Sequence, residues 1–228
     1  MPADYLRESL TRSTEDYLKA VYRLSSTGEA ATTTDLAQVL DLAPASVSGM
    51  IKRLSEQGLL EHVPYRGVWL TAEGRRIALR MLRRHRLIET YLVAQLGYTW
   101  DTVHDEAERL EHAVSDQLVE RIAAALGNPR VDPHGDPIPD ADGEIAEFIH
   151  VPLTDVPVGE TVVVRRVDST DPARLRYIAG TGLVPGATVT VVDRQPFDGP
   201  IALRVGPEAE RIVAHDLAAL LLCSRGAR

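Results

Sequence analysis

The sequence predicts a mainly α-helical protein that ends in a small β-barrel. Three observations predict it. Two short helical segments flank a tight turn and lead into a hairpin pattern before residue 72. Two long helical runs then fill residues 72–126, and beyond Val151 the periodicity switches to short strand-like alternations. The composition, 44% hydrophobic and 25% charged over 228 residues, is that of a globular chain of one to three domains. No apolar run approaches the roughly 20 residues that a membrane-spanning helix needs. The amino terminus MPADYLRESLTRSTEDY has no apolar signal core, so the expectation is a soluble, cytoplasmic chain without a membrane partner. One cysteine, Cys223, excludes an intrachain disulfide and any thiolate metal cluster; it reads as a small apolar filler.

The first helix is expected over 14–25, capped by Ser13 or Thr14, with Tyr17, Leu18, Val21, Tyr22 and Leu24 on one face and Gly28 closing it. A short helix over 34–40 follows, then the connection Asp41-Leu42-Ala43. A second helix carries Pro44 in its first turn, where proline suits, and runs to Gln57 before Gly58. Its buried face is Val47, Met50, Ile51 and Leu54. Two short helices joined by a three-residue turn make a helix-turn-helix. The alternations 59–63 and 67–71, separated by Pro64-Tyr65-Arg66-Gly67, add a hairpin with a basic tip, the wing of a winged helix.

The net charge of -8 argues against nucleic-acid binding until its distribution is read. Residues 44–86 carry nine Lys or Arg and three Asp or Glu, a local basic surface inside an acidic protein. In a winged helix the second helix of the pair enters the major groove. Its leading residues are Ala43, Pro44, Ala45, Ser46, Ser48 and Gly49, with Thr34 on the preceding helix. These are small side chains offering methyl and hydroxyl contacts, with no arginine to read guanine. Lys52, Arg53 and the wing-tip Arg66 are the candidate phosphate anchors. Partial reliance on DNA shape is expected.

The first long helix covers 72–96. A second is expected from Trp100 to Leu126, stopped by Gly127-Asn128-Pro129. Leu92, Leu96, Val103, Leu110, Val114 and Leu118 are apolar candidates for core or dimer interface. Residues 128–150, rich in Pro, Gly and Asp, read as a linker. The strand-like runs 161–167, 187–193, 201–205 and 210–213, with a helix over about 172–181, suggest the barrel.

Chemistry concentrates on the helices. His104, Glu108, Glu111 and His112 fall on one side of the expected second long helix. His85 and Glu89 are an i,i+4 pair on the first. Asp16 adds a carboxylate next to the inward face of the opening helix. A single Glu or His on a helix is more often solvated than ligating. Imidazoles and carboxylates gathered at core edges on three helices point to a divalent metal. No His-Glu-x-x-His signature and no nucleophile with an orienting base are present, so an enzyme is not expected.

The segments STEDYLKAVYRL, APASVSGMIKRLSEQGLL, YRGVWLT, RRHRLIE, VHDEAERLEHAVSD and DPHGDPIP resemble the diphtheria-toxin-repressor family, in particular its manganese-responsive branch. The resemblance implies a winged-helix DNA-binding domain over 1–74, a helical metal-binding and dimerisation domain over 75–140, a linker over 141–152, and a Src-homology-3-like barrel of the FeoA kind over 153–228. It implies a primary metal site of Asp16, Glu108, Glu111 and His112, and a second of His85, Glu89 and His104, with Asp171 of the barrel as a further ligand. Iron-responsive members carry Met and Cys where this chain has Asp16 and Glu108, and hard oxygen in place of sulfur favours Mn2+. Lys19 stands where the small two-domain manganese regulators use an acid, which implies two separated sites. The implied function is a homodimeric transcriptional repressor that binds double-stranded operator DNA when Mn2+ occupies its sites, with no organic substrate. An iron-responsive regulator using Fe2+ and a winged-helix sensor of an organic ligand are the alternatives.

Overall fold

A computed structural model describes residues 10–26, 28–63, 66–206 and 209–225. The chain divides into two compact units, one of residues 1–84 and 139–144 and the other of 85–138 and 145–228. The division falls inside the helix α4 (Ala72–Leu96).

The first unit opens with α1 (Arg12–Ser25). Thr11 caps it, its side chain accepting from the Thr14 amide, one turn earlier than the expected Ser13 or Thr14. Thr32 caps α2 (Thr33–Leu40) and its hydroxyl also donates to Asp35. Asp41 ends α2 in the left-handed conformation, φ 52°, which lets the chain reverse before α3 (Pro44–Glu56). Tyr17, Leu18 and Val21 of α1 share a core with Leu36 of α2 and Val47, Ile51 and Leu54 of α3. Met50 is only partly buried there. The strands β1 (Leu60–Val63) and β2 (Gly67–Leu70) pair antiparallel, with Leu60 opposite Leu70 and Val63 opposite Gly67. Pro64 and Tyr65 of the expected wing tip lie outside the described residues. Helix-turn-helix and wing are thus as expected.

In the second unit, one expectation fails. The single long helix over 100–126 is two helices, α5 (Val103–Leu110) and α6 (Asp116–Ala125). Ser115 is the cause: its side chain accepts from the Leu118 amide and starts a new helix. Glu111 consequently caps the end of α5, and His112 follows it in the turn. Leu96 and Leu118, candidates for core or interface, are both exposed, whereas Leu92 and Val103 are buried.

The carboxyl-terminal region forms a six-stranded antiparallel sheet in the order β3-β8-β4-β5-β6-β7. Its strands are β3 (Val151–Pro152), β4 (Thr161–Val167), β5 (Thr188–Arg194), β6 (Ile201–Val205), β7 (Ala209–Val213) and β8 (Leu221–Arg225). Helices α7 (Pro172–Thr181) and α8 (His215–Ala219) complete it. Neither β8 nor α8 was expected. β8 lies between the two-residue edge strand β3 and β4, and its apolar run Leu221-Leu222-Cys223 does not by itself separate strand from helix. Leu175 and Ile178 of α7 and Cys223 of β8 share its core.

Residues 131–137 are more than a linker. Asp132 Oδ1 accepts from the amides of His134 at 2.8 Å and Asp136 at 2.9 Å, which closes a tight turn. The Val167 amide donates to the His134 carbonyl, and Asp136 pairs with Arg166 of β4 at 2.9 Å. Gly135, at φ 86°, packs so closely that a Cβ would lie 1.9 Å from the Arg165 carbonyl oxygen. Gly135→Ala is therefore expected to lower the melting temperature, with a loss of about 1–3 kcal/mol from overpacking alone, measured by thermal denaturation. Burial pushes the Cys223 thiol up to about 12, so it stays protonated at pH 8. A thiol-reactive disulfide reagent at pH 8 is expected to label the unfolded chain rapidly and the native one only at the rate of unfolding.

Candidate metal centre and nucleic-acid interface

Helices α4 and α5 carry the metal-competent side chains of the second unit. His85 and Glu89 lie one turn apart on α4, and both are only 2% exposed. Opposite them, α5 contributes His104 and Glu108, and its cap contributes Glu111, which is wholly buried. His85 is at the centre. Its Nδ1 is 2.6 Å from Glu111 Oε2 and its Nε2 is 3.0 Å from Glu89 Oε1. Each ring nitrogen of His85 thus faces a buried carboxylate oxygen at hydrogen-bond distance. His104 Nδ1 donates to the same Glu89 oxygen at 3.1 Å. Burial opposes ionisation of Glu89, but the hydrogen bonds from His104 and His85 outweigh it and hold its carboxyl below the usual range.

Glu108 completes a set with the two histidines. Its Oε1 lies 3.7 Å from His104 Nε2 and 3.8 Å from His85 Nδ1. One donor atom from each of His85, His104 and Glu108 falls within 4.8 Å of the others, a spacing that a single divalent ion can span. The resemblance divided these residues between two sites; within the second unit they form one connected cluster, in which His85 touches both the Glu89 and the Glu111 side. His112 follows, its Nε2 3.3 Å from Glu111 Oε1. Asp16 lies on α1 of the first unit, with its Oδ2 3.8 Å from Arg12 Nε. Lys19 is buried on the same helix.

Asp171 does different work. Its Oδ1 accepts from the amides of Ala173 and Arg174 at the start of α7, and it pairs with Arg174. Among the described residues it joins no group of three potential ligands. A third group was missed by sequence reading: Glu89, Asp132 and His134, all buried. Its signal was the segment Asp132-Pro-His134-Gly-Asp136, which looks like a polar loop because its carboxylate and imidazole are buried only by the fold. Burial, then the carboxylates of Asp136 and Glu89, push Asp132 up to about 7.

The candidate DNA-contacting residues gather on one element and its surroundings. Ala43, Pro44, Ala45, Ser46, Ser48 and Gly49 are exposed at the start of α3, and Lys52 and Arg53 are exposed one to two turns later. Thr34 on α2 and Arg66 at the wing are exposed as well. No acidic residue occupies the first turn of α3, so its amide groups and dipole face solvent unneutralised, which suits an approaching phosphate.

The comparisons with known proteins agree with this architecture. Residues 9–68 match the iron-dependent repressor N-terminal DNA-binding domain, and 71–140 its metal-binding and dimerisation domain. Residues 151–225 match the FeoA domain. The chain is 35% identical over 211 residues to the iron-dependent repressor IdeR of Mycobacterium leprae, covering 87% of this chain and 91% of that one. The chain belongs to the diphtheria-toxin-repressor family of metal-dependent, DNA-binding regulators. Similar solved structures include a manganese-dependent transcriptional repressor in complex with manganese, at 41% identity and TM-score 0.84, covering 93% of this chain and 99% of that one. Another is the manganese regulator SloR, at 31% identity and TM-score 0.76, covering 95% and 100%. Members of this family are regulators and not enzymes, as the absence of a nucleophile in the sequence led one to expect. Among the described residues no helix is long and apolar enough to cross a membrane.

The His85 arrangement makes a direct energetic prediction. Replacing His85 by Leu leaves Glu89 and Glu111 buried without their shared donor. In chelator, His85→Leu is expected to lose about 3–5 kcal/mol of stability, read from urea denaturation midpoints.

Proposed function

We propose that this chain is a manganese-responsive homodimeric repressor that binds double-stranded operator DNA when its metal sites are filled. The observation that carries the reading is the donor set: imidazole nitrogens and carboxylate oxygens, with no sulfur. The only cysteine is buried in the sheet core. Hard oxygen with borderline nitrogen suits Mn2+, and the preference for softer ions falls when thioether and thiolate are absent. In the resemblance, the two positions that distinguish the branches are Asp16 and Glu108, and both are carboxylates.

In this reading the primary site is Asp16, Glu108, Glu111 and His112, and the second is His85, Glu89 and His104. A divalent cation supplies the positive charge that these carboxylates lack. A histidine nitrogen ligates only without its proton, so metal binding competes with protons and weakens as pH falls. Asp16 rides on α1, whose Tyr17, Leu18 and Val21 share a core with the recognition helix α3. Fixing Asp16 therefore bears on the placement of α3. Two α3 helices of a dimer must be about 34–36 Å apart, or a multiple of it, to read successive major grooves. Metal and operator then strengthen each other's binding by the same factor.

Iron is the alternative, since relatives such as the Mycobacterium leprae protein are named as iron-dependent. Gel shifts against the gene's own promoter at fixed salt, in chelator, Mn2+ or Fe2+, separate the two. Binding is expected with Mn2+ at concentrations where Fe2+ is weaker, and stronger Fe2+ activation would assign the iron branch. Glu108→Ala is expected to abolish metal-stimulated binding while leaving the fold intact by circular dichroism. Unchanged manganese dependence in that variant would sink the assignment.

A further inference from the structure

We propose that Glu89, Asp132 and His134 form an additional divalent-cation site beside the two of the reading above, sharing Glu89 with the His85–His104 site. The three come from α4 and from the turn at 131–137, some 40 residues apart in the chain, and all are buried. One donor atom from each lies within 4.8 Å of the others. Around one ion at bonds of about 2.2 Å, adjacent ligands are about 3–3.6 Å apart and opposite ones about 4.4 Å. The donors are therefore already close to the spacing that an ion would impose.

Orientation strengthens the case. His134 Nε2 donates to the Trp100 carbonyl at 2.8 Å, which leaves Nδ1 of the neutral ring as a lone pair. That Nδ1 has no hydrogen bond among those of the described residues, and Asp132 Oδ1 lies 4.0 Å from it. The ring is stacked on Trp100, with centroids 5.5 Å apart and planes 20° from parallel, which fixes where the lone pair points. A ligating imidazole characteristically donates its other nitrogen to a carbonyl or carboxylate, and His134 already does so.

Asp132 is held just as firmly. Two backbone amides clamp its Oδ1, and Arg86 Nε approaches Oδ2 at only 3.7 Å. Arg86 itself is engaged by the Pro137 carbonyl and by Asp136. Glu89 spends Oε1 on His85 and His104. Two buried carboxylates and one imidazole nitrogen thus converge, with Arg86 as the cation nearest to Asp132, at 3.7 Å. A cation is the chemistry that such a set recognises. One nitrogen with two hard oxygens suits a divalent first-row ion such as Mn2+. Because the turn also holds β4 through His134 and Asp136, filling this site would stiffen the attachment of the FeoA sheet.

The test counts ions on the full chain. Metal-free protein is dialysed against Mn2+ and bound manganese is measured by mass spectrometry, with circular dichroism to verify folding. Wild type is expected to saturate at about three equivalents per chain, against two for the primary and second sites alone. Asp132→Asn retains an acceptor for both backbone amides, and His134→Gln retains an N–H for the Trp100 carbonyl. Each is expected to bind one equivalent fewer. His104→Gln separates this proposal from the second site: if only that site is misassigned, His104→Gln leaves the count unchanged while Asp132→Asn still lowers it. A wild-type count in both folded turn variants overturns the proposal, whatever the wild-type total.

Discussion

His85 is buried with a carboxylate against each ring nitrogen, Glu111 on one side and Glu89 on the other. A buried carboxylate is costly unless something donates to it or neutralises it, and here one ring serves two. This constraint organises the second unit. Helix α5 must end at Glu111, α4 must present its histidine and glutamate one turn apart, and His104 must reach the same Glu89 oxygen. The same atoms that donate protons in this arrangement are the ones that could ligate a cation. In the proposed function, sensing and stability would then be properties of one cluster, and removing its central ring would disturb both.

Around that cluster the polar groups are shared rather than duplicated. Glu89 faces His85 and His104 on one side and the Asp132–His134 turn on the other. The turn in turn holds β4 through a backbone bond at His134 and the Asp136–Arg166 pair. Charge at one place is thus felt two contacts away by the sheet. Such a chain of shared hydrogen bonds is the kind of network in which effects of single substitutions do not add.

The DNA-facing element obeys a different economy. The start of α3 is lined with alanine, serine and glycine, small enough for backbone and methyl groups to approach a base edge closely. Positive charge sits later on the helix and at the wing, in Lys52, Arg53 and Arg66. In the proposed function this arrangement would draw affinity largely from phosphates, and binding would fall with salt. A weak reader of bases is well matched to control by metal, since a small change in the placement of α3 can decide whether binding occurs at all.

The sequence by itself determined the helix-turn-helix, the wing, α4 and most strands of the sheet. In each, apolar period and terminal signals agree: Pro44 opening α3, Gly58 following it, alternation along 161–167. It also placed His85 with Glu89 and His104 with Glu108, since side chains four residues apart on a helix share a face. Glu111 and His112 lie past the last residue of α5, where helical spacing no longer applies. Tertiary structure decided what local pattern cannot encode. Ser115 could cap a helix or lie within one, and in the fold its side chain accepts from the Leu118 amide and opens α6. Asp132 and His134 sit in a segment as polar as any linker; they became buried donors because β4 closes over the turn and Trp100 stacks on the ring. Asp171, which the resemblance offers as a further ligand, caps the start of α7 by accepting from the amides of Ala173 and Arg174. Period and spacing report the face of one element. Which faces meet depends on contacts between residues distant in the chain.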